Sequence, residues 1–244
     1  MRMFRKAAVT LLTSLLATAG ASAGDFSTFQ TLGFSPDGKV YAFEEYGVQD
    51  GSGFPYSTVY FIDTEKDAYL PGTPIRARID DEEADLAKAR AESRDKAKSL
   101  IEQYKVLSNP GLLAAFNPMG EGGVDRKRIE YYPHAVEPMV GGSYALALED
   151  IALDMTDKCR DIAPDGIKGF RLKLVRRDGA AADTVVHEDT RVPESRYCPH
   201  SYQISGAVTF GAFGADPVHV ALVLVRSFGF EGSDGRWIAV PFRP

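Results

Sequence analysis

The sequence is poor in the residues that build common catalytic and metal centres. Its 244 residues include only two cysteines and four histidines, and their spacing matches no known zinc site. The phosphate-binding pattern G-x-x-x-x-G-K-[ST], the zinc-protease pattern H-E-x-x-H and the dinucleotide pattern G-x-G-x-x-G are also absent. The sequence therefore gives no support to nucleotide or zinc-protease chemistry, and we expect no cofactor and no metal.

Positive charge and long apolar runs are scarce as well. The formal net charge is −6, and the basic run Arg126–Arg128 has only three residues, which argues against a nucleic-acid partner. Beyond residue 23, no apolar stretch reaches the roughly 20 residues that a membrane-spanning helix needs. The segment Val218–Val225 is interrupted only by His219, and its length suits a buried strand. We therefore expect no membrane span once the first 23 residues are removed.

The first 23 residues have the organisation of a secretory signal peptide. Three basic residues precede the apolar segment Ala7–Thr18, and Ala21-Ser22-Ala23 forms an A-x-A cleavage site. The alternative is an uncleaved anchor, but the apolar segment is short for a bilayer. We predict cleavage before Gly24, export to the periplasm or the exterior, and a mature charge of −9 in a single β-rich domain, residues 24–244.

Both cysteines, Cys159 and Cys198, lie in the predicted exported part of the chain. An even number of cysteines in an exported protein is typical of a disulfide, which we predict between these two residues. Two free thiols are one alternative. A metal site that includes His200 is another, but it lacks a full set of ligands.

Strand patterns dominate the predicted domain. Lys39–Tyr46 and Tyr56–Asp63 are rich in aromatic and β-branched residues, and alternating apolar positions recur from Ser143 to the end of the chain. We predict a mainly β (α+β) fold with antiparallel sheets in a sandwich-like arrangement. Asp37-Gly38 and Asp234-Gly235 each form a turn before a basic residue and an apolar strand, and we predict that these two strands pair as neighbours.

One segment breaks the β pattern. Residues 80–107 carry many charges with no glycine or proline, and they predict one long charged helix as an insertion over about 80–108. Asp80 and Glu83 have capping-box spacing, and Asn109-Pro110-Gly111 ends the helix. Its apolar stripe is dense only in the second half, so we predict that the first half is solvent-exposed or docks by weak contacts. Residues 117–142, rich in proline and glycine, predict a loop-rich segment with one strand near Arg128–Tyr132.

Two short patterns touch on serine catalysis. Ser93 and Lys96 fit S-x-x-K, where a lysine one helical turn away activates a serine, and Gly141–Ala145 partly resembles a nucleophile elbow. The first lies in a highly charged helix without an apolar pocket, and the second lies between a loop and a strand. We interpret the first as part of a solvated helix face and the second as a turn.

Aromatic loop segments are the best candidates for a recognition surface. Tyrosine and phenylalanine mix with glycine, serine and aspartate in residues 46–60, and a second cluster lies at residues 131–134. The alternative is that these tyrosines pack over a sheet edge. The candidate recognition residues are Tyr46, Asp50, Phe54, Tyr56, Tyr131, Tyr132 and His134.

Five segments together give the chain a family resemblance. They are Gly33–Gly38, Ala42–Gly47, Tyr60–Asp63, Gly229–Gly232 and Arg236–Val240. On these residues the chain resembles a bacterial family of predicted secreted proteins of unknown function. The resemblance implies export and assigns no catalytic residue. We therefore expect a non-catalytic binding or envelope-associated module that takes an unknown ligand or envelope protein. The alternative is a periplasmic hydrolase that uses serine or carboxylates.

Overall fold

The computed structural model describes residues 24–211, 216–229 and 232–244, so the predicted signal peptide lies outside the described residues. Its strands form three antiparallel sheets, and its two α-helices follow the fifth strand. In chain order the elements are β1 (Thr28–Phe34), β2 (Val40–Val48), β3 (Pro55–Asp63), β4 (Ala68–Tyr69), β5 (Ile75–Arg78), α1 (Leu86–Lys96), α2 (Lys98–Tyr104), β6 (Leu112–Phe116), β7 (Arg128–Tyr131), β8 (Tyr144–Leu153), β9 (Ile167–Arg177), β10 (Ala180–Glu188), β11 (Pro199–Phe210), β12 (Val218–Phe228) and β13 (Ser233–Phe242).

The three sheets stack in layers, with one sheet in the middle. The first sheet has the order β1-β2-β3-β4, with β5 also on β3; the central sheet has the order β13-β12-β11-β6; the third sheet has the order β10-β9-β8-β7. Val220 and Leu222 of β12 pack against Phe43 of the first sheet. The intervening Ala221 and Val223 pack in a second cluster with residues of the third sheet. This confirms the sandwich-like prediction and explains why β12 is apolar at nearly every position, since both of its faces are buried.

The predicted long helix is present as two shorter helices that cover the outer face of the first sheet. The first helix begins at Leu86 rather than Asp80, and the two helices meet at Ala97. The predicted capping box is absent: the Asp80 carboxylate is hydrogen-bonded to the Arg78 guanidinium at 2.7 Å, and the Glu83 backbone N–H donates to the Asp81 carboxylate at 3.0 Å. Local bonds from an aspartate side chain to the backbone compete with helix formation. The second-half apolar stripe does pack on the sheet, where Ala97 is fully buried.

The two strands that follow similar Asp-Gly turns do not pair. The strand β2 belongs to the first sheet, whereas β13 pairs with β12 along its whole length in the central sheet. The prediction of neighbouring strands is therefore wrong. Two other contacts join the N-terminal part of the described chain to β13. Phe26 forms an isolated bridge with Gly235, and the Glu45 carboxylate of β2 accepts the Trp237 backbone N–H of β13 at 2.9 Å.

The predicted disulfide is present. The sulfurs of Cys159 and Cys198 are 2.07 Å apart, and both cysteines are buried. The bond ties a 3-10 turn at Asp157–Cys159 to the start of β11, and Ala163 and Ile167 pack beside it. It therefore anchors a connection that has little regular structure of its own.

Candidate functional site

The candidate recognition residues fall into two groups, one around the β2–β3 hairpin of the first sheet and one at the end of β7 in the third sheet and the loop that follows it. The strand β2 starts next to Gly38, which packs against Val218 and Phe210 of the central sheet. Its other end is the β2–β3 hairpin at Val48, about 26 Å away at the usual strand rise. We call residues 46–56 with their contacts the hairpin end. We call residues 131–136, 209–211 and 217–219 the cavity end.

At the hairpin end, the chain's own arginines cover the predicted aromatic surface. The guanidinium of Arg90 lies 3.7 Å from the centre of the Tyr46 ring. Arg78 lies 5.9 Å from the centre of the Phe54 ring. Both distances suit cation–π contacts, so these ring faces already have partners. Asp50 is exposed in the glycine-rich turn and belongs to no cluster of acidic ligands among the residues described.

Tyr56 is buried rather than exposed, which corrects its assignment to a surface. Its hydroxyl donates to the Asp25 carboxylate at 2.9 Å, and the Arg236 guanidinium bonds the same carboxylate at 2.5 Å. Arg236 also lies 5.0 Å from the centre of the Tyr56 ring. Burial raises the pKa of Tyr56, so its hydroxyl stays protonated and remains a donor. The contact fastens residue 25, the second residue after the predicted cleavage site.

A buried carboxylate at the hairpin end also holds the charged half of the helical segment. Glu44 is fully buried and accepts hydrogen bonds from Arg90 at 2.9 Å and Arg94 at 2.6 Å. Burial raises the pKa of Glu44, but the bonds from Arg90 and Arg94 outweigh it, so the pKa lies below its ordinary value. Most of residues 80–88 are exposed, as expected for the first half of the helix, whereas Arg90 and Arg94 dock on the sheet through a buried ion pair rather than through weak contacts. A glutamate inside an apolar strand, together with an R-x-x-x-R helix pattern, was the sequence signal for this contact.

The buried contact around Glu44 also shows what Ser93 of the S-x-x-K pattern does. Ser93 is fully buried, and its Oγ lies 2.7 Å from the Oγ of Ser57, which in turn donates to Glu44. Lys96 points to a different partner, since its Nζ donates to Glu92 at 2.6 Å. Ser93 is thus a packing residue between α1 and β3, and Lys96 is not placed to activate it.

The cavity end contains a concave space of about 420 Å³ beside the first residues of β12. None of its described lining residues is Asp, Glu, Lys or Arg, although a quarter of the whole chain is charged. The lining residues are Gly111, Leu112, Pro133, His134, Ala135, Val136, Thr209, Phe210, Gly211, Pro217 and His219. The volume lies in the range of small-molecule sites.

His219 is the most constrained polar residue of this cavity. It is buried among aromatic rings, with ring centres 4.8 Å from Tyr144 and 5.5 Å from Phe242. Its Nδ1 lies 2.9 Å from the Tyr131 hydroxyl. Burial lowers the pKa of His219 to about 4, and nearby His134 adds to this effect, so the imidazole is neutral at pH 7.

The proton positions follow from these contacts. Burial raises the pKa of Tyr131, so its hydroxyl keeps its proton, and Nδ1 of His219 is its hydrogen-bond partner among the described residues. The hydroxyl therefore donates, Nδ1 accepts, and the imidazole proton resides on Nε2. Thr209, opposite His219 in the β11–β12 ladder, donates to the Pro133 carbonyl at 2.9 Å and holds that loop in place.

The second group of candidates is thus only partly a surface. Tyr131 is 3% exposed and positions His219, so its assignment to the surface is corrected. Tyr132 is 37% exposed, and His134 is exposed and lines the cavity. Sequence reasoning missed Thr209 and Phe210, and it placed His219 only inside a buried strand. A histidine interrupting an otherwise apolar strand was the available signal.

The described part of the chain also contains a serine–histidine contact, between Ser233 and His200. The Oγ and Nε2 atoms are 2.8 Å apart, and burial lowers the pKa of His200. No carboxylate is hydrogen-bonded to His200 within the described residues, and the nearby Asp150 carboxylate binds Lys127 and the Tyr202 N–H. The pair therefore lacks the third group that orients a catalytic histidine.

Comparisons with known proteins give one family. The family described as "Predicted secreted protein (DUF2259)" matches residues 42–243. Neither a curated protein nor a solved structure matches the chain. Among the described helices, none is long and apolar enough to span a membrane.

Proposed function

Because this chain belongs to that family of predicted secreted proteins, we propose that it is a non-catalytic binding module of the cell envelope. The cavity end is its binding site. The observation that carries the proposal is the neutral cavity of about 420 Å³, which places the ordered imidazole of His219 against apolar walls. A concave, mostly apolar space with a few fixed polar groups is the usual form of a small-molecule site.

The predicted export signal supports the location. Cleavage before Gly24 leaves Asp25 as the second residue of a domain in which its backbone and side chain are both bound by Arg236. A buried disulfide is consistent with an oxidising compartment. N-terminal sequencing of the protein from the periplasmic and culture fractions tests this part, with Gly24 expected as the first residue.

A thermal-shift screen of small molecules against three proteins tests the binding site. The first is the mature protein. The second is Ala135→Trp, which places an indole in the cavity from an exposed loop position. The third is Ala91→Trp, a matched change at an exposed position of α1.

A ligand at 100 times its Kd stabilises a protein by about 2.7 kcal/mol, a visible shift in Tm. We expect compounds that raise the Tm of the unchanged protein and of Ala91→Trp but not that of Ala135→Trp. Compounds that act equally on all three proteins, or a screen without any compound of the expected kind, would contradict the proposed site.

A further inference from the structure

We propose that the ligand of the cavity end is an uncharged, largely apolar molecule that carries a hydrogen-bond acceptor. This inference rests on the proposed function, and it names the chemical class that the site selects. It follows from the charge of the lining, from the one fixed donor and from the size of the space.

The lining favours uncharged ligands. A buried ion needs a partner of opposite charge or several hydrogen bonds, since burying an isolated ion is very costly. The described lining offers no Lys or Arg to an anion and no Asp or Glu to a cation. The imidazole of His219 is neutral because burial among aromatic rings lowers its pKa, and its partner Tyr131 carries no charge.

A second concave space of the described residues has a charged lining and serves as a contrast to the cavity end. That space measures about 470 Å³ and lies between the β3–β4 turn, β10 and the C-terminal residues. Glu65, Lys66, Asp67 and Arg243 line it, so both signs of charge are present there. Two spaces of similar volume on one acidic protein therefore differ in the charge of their lining residues.

The donor follows from the hydrogen bond between Tyr131 and His219. Nδ1 of His219 accepts the hydrogen bond from the Tyr131 hydroxyl, so the other polar group of the imidazole is Nε2–H. The hydroxyl of Thr209 already donates to Pro133. An acceptor such as a ketone, ester or amide oxygen matches the Nε2–H donor, whereas a ligand without one leaves that donor unpaired.

The apolar walls of the space indicate the shape and polarity of the rest of the ligand. Leu112, Val136 and Phe210 give apolar side chains on three different segments around the space. A volume of about 420 Å³ accommodates a bicyclic aromatic compound with a short substituent. Pairs of naphthalene compounds that differ in one group are therefore suitable probes.

The first experiment compares two fluorescent probes that differ by one sulfonate. N-phenyl-1-naphthylamine is uncharged, and 8-anilinonaphthalene-1-sulfonate is its anionic counterpart. At pH 7 we expect the uncharged probe to bind the mature protein at least about tenfold more tightly than the sulfonate. We expect Ala135→Trp to lose this binding and Ala91→Trp to keep it.

The second experiment tests the acceptor by displacement of the bound uncharged probe. 2-Acetylnaphthalene carries a carbonyl oxygen, and 2-ethylnaphthalene has nearly the same shape without it. We expect the ketone to displace the probe about three- to tenfold more effectively from the unchanged protein. We expect that preference to vanish in His219→Phe, which keeps an aromatic ring at the site.

The outcomes separate the two proposals. Probe binding that Ala135→Trp does not reduce, or no binding of the uncharged probe, would overturn the proposed site itself. Equal binding of the sulfonate, lost in Ala135→Trp, would overturn only the charge class, and equal displacement by ketone and hydrocarbon would overturn only the acceptor. The probe and displacement comparisons on the unchanged protein stand even if His219→Phe does not fold.

Discussion

The hairpin end is held together by charges, whereas the cavity end is built from neutral groups. At the hairpin end, Glu44 binds two arginines and Asp25 binds Arg236 together with Tyr56. At the cavity end, the buried polar contact joins the neutral pair Tyr131 and His219. Both ends carry tyrosines in glycine- and proline-rich surroundings, so aromatic composition alone does not separate them.

This difference determines which end has surface left to bind a partner. A ligand that docked on Tyr46 would have to displace Arg90, which also bonds the buried Glu44. Removing one member of a buried ion pair leaves an unpaired charge and is costly. At the cavity end, a ligand meets side chains that need no such exchange. Whether an aromatic side chain can bind a ligand therefore depends on the charged residues that contact it from distant parts of the chain.

The largest expected effect comes from breaking the charged contact of the hairpin end. Glu44→Ala leaves Arg90 and Arg94 without their carboxylate, and we expect the free energy of unfolding to fall by about 3 kcal/mol. Urea denaturation at pH 7 measures this change. Glu92→Ala, which removes an exposed pair with Lys96, is the matched control and should change stability by less than about 0.5 kcal/mol. Equal effects of the two substitutions would contradict a stabilising role for the buried pair.

Two histidines should give stability opposite dependences on pH. Burial lowers the pKa of His187, but hydrogen bonds at 3.1 Å to Asp189 and 3.0 Å to Asp67 outweigh it and raise the pKa to about 9. The contribution of protonated His187 to the free energy of unfolding is complete below pH 6.5, its pKa in the unfolded chain, and is lost as the pH rises through 9. For His219, with a pKa of about 4, stabilisation is present above 6.5 and is lost as the pH falls towards 4.

Denaturation at several pH values separates these contributions. Between pH 6.5 and 9.5 we expect the unchanged protein to lose about 2 kcal/mol through His187, and His187→Gln to show a flatter profile. His219→Phe should flatten only the acidic side. His134→Gln, at an exposed position, serves as the control for histidine removal. An alkaline profile that is unchanged in His187→Gln would show that its two carboxylates do not hold the charged form.

The smallest effects come from single hydroxyl groups, one at each end. Tyr56→Phe removes the bond to Asp25, and Tyr131→Phe removes the bond to His219. Each should lower the free energy of unfolding by about 1 kcal/mol. Only Tyr131→Phe should alter the preference for the ketone probe, because only that hydroxyl fixes the imidazole proton. A changed preference in Tyr56→Phe would mean that the two ends are not independent.

Local patterns predicted much of the fold. The strand at Val218–Val225 was predictable because the residues on both of its faces are almost all apolar. The disulfide was predictable because the predicted exported chain has two cysteines. The start of the helix at Leu86 was not predictable in this way, because the Asp81 carboxylate accepts the Glu83 N–H and these residues form a turn before the helix. Strand pairing was also beyond local patterns, because β2 and β13 share a turn motif but lie in different layers.

The candidate site depended on contacts that single-sequence patterns do not contain. Arg90 is 46 residues from Glu44, and His219 is 88 residues from Tyr131. From the sequence alone, a glutamate in a strand is expected to face solvent, because its partner is not known. A histidine in an apolar strand is expected to lie in the core. The aromatic pattern at residues 131–134 lies in the region that we propose as the binding site, but it selected Tyr131, which is buried, as a surface residue.

The most direct test of the account is a map of backbone amide chemical shifts during titration of the mature protein with N-phenyl-1-naphthylamine. We predict saturable shifts at Leu112, Val136 and Phe210, with the amides of Tyr46 and Tyr56 unchanged. Shifts centred on the hairpin end, or spread over both ends without saturation, would contradict the assignment of the binding site to the cavity end.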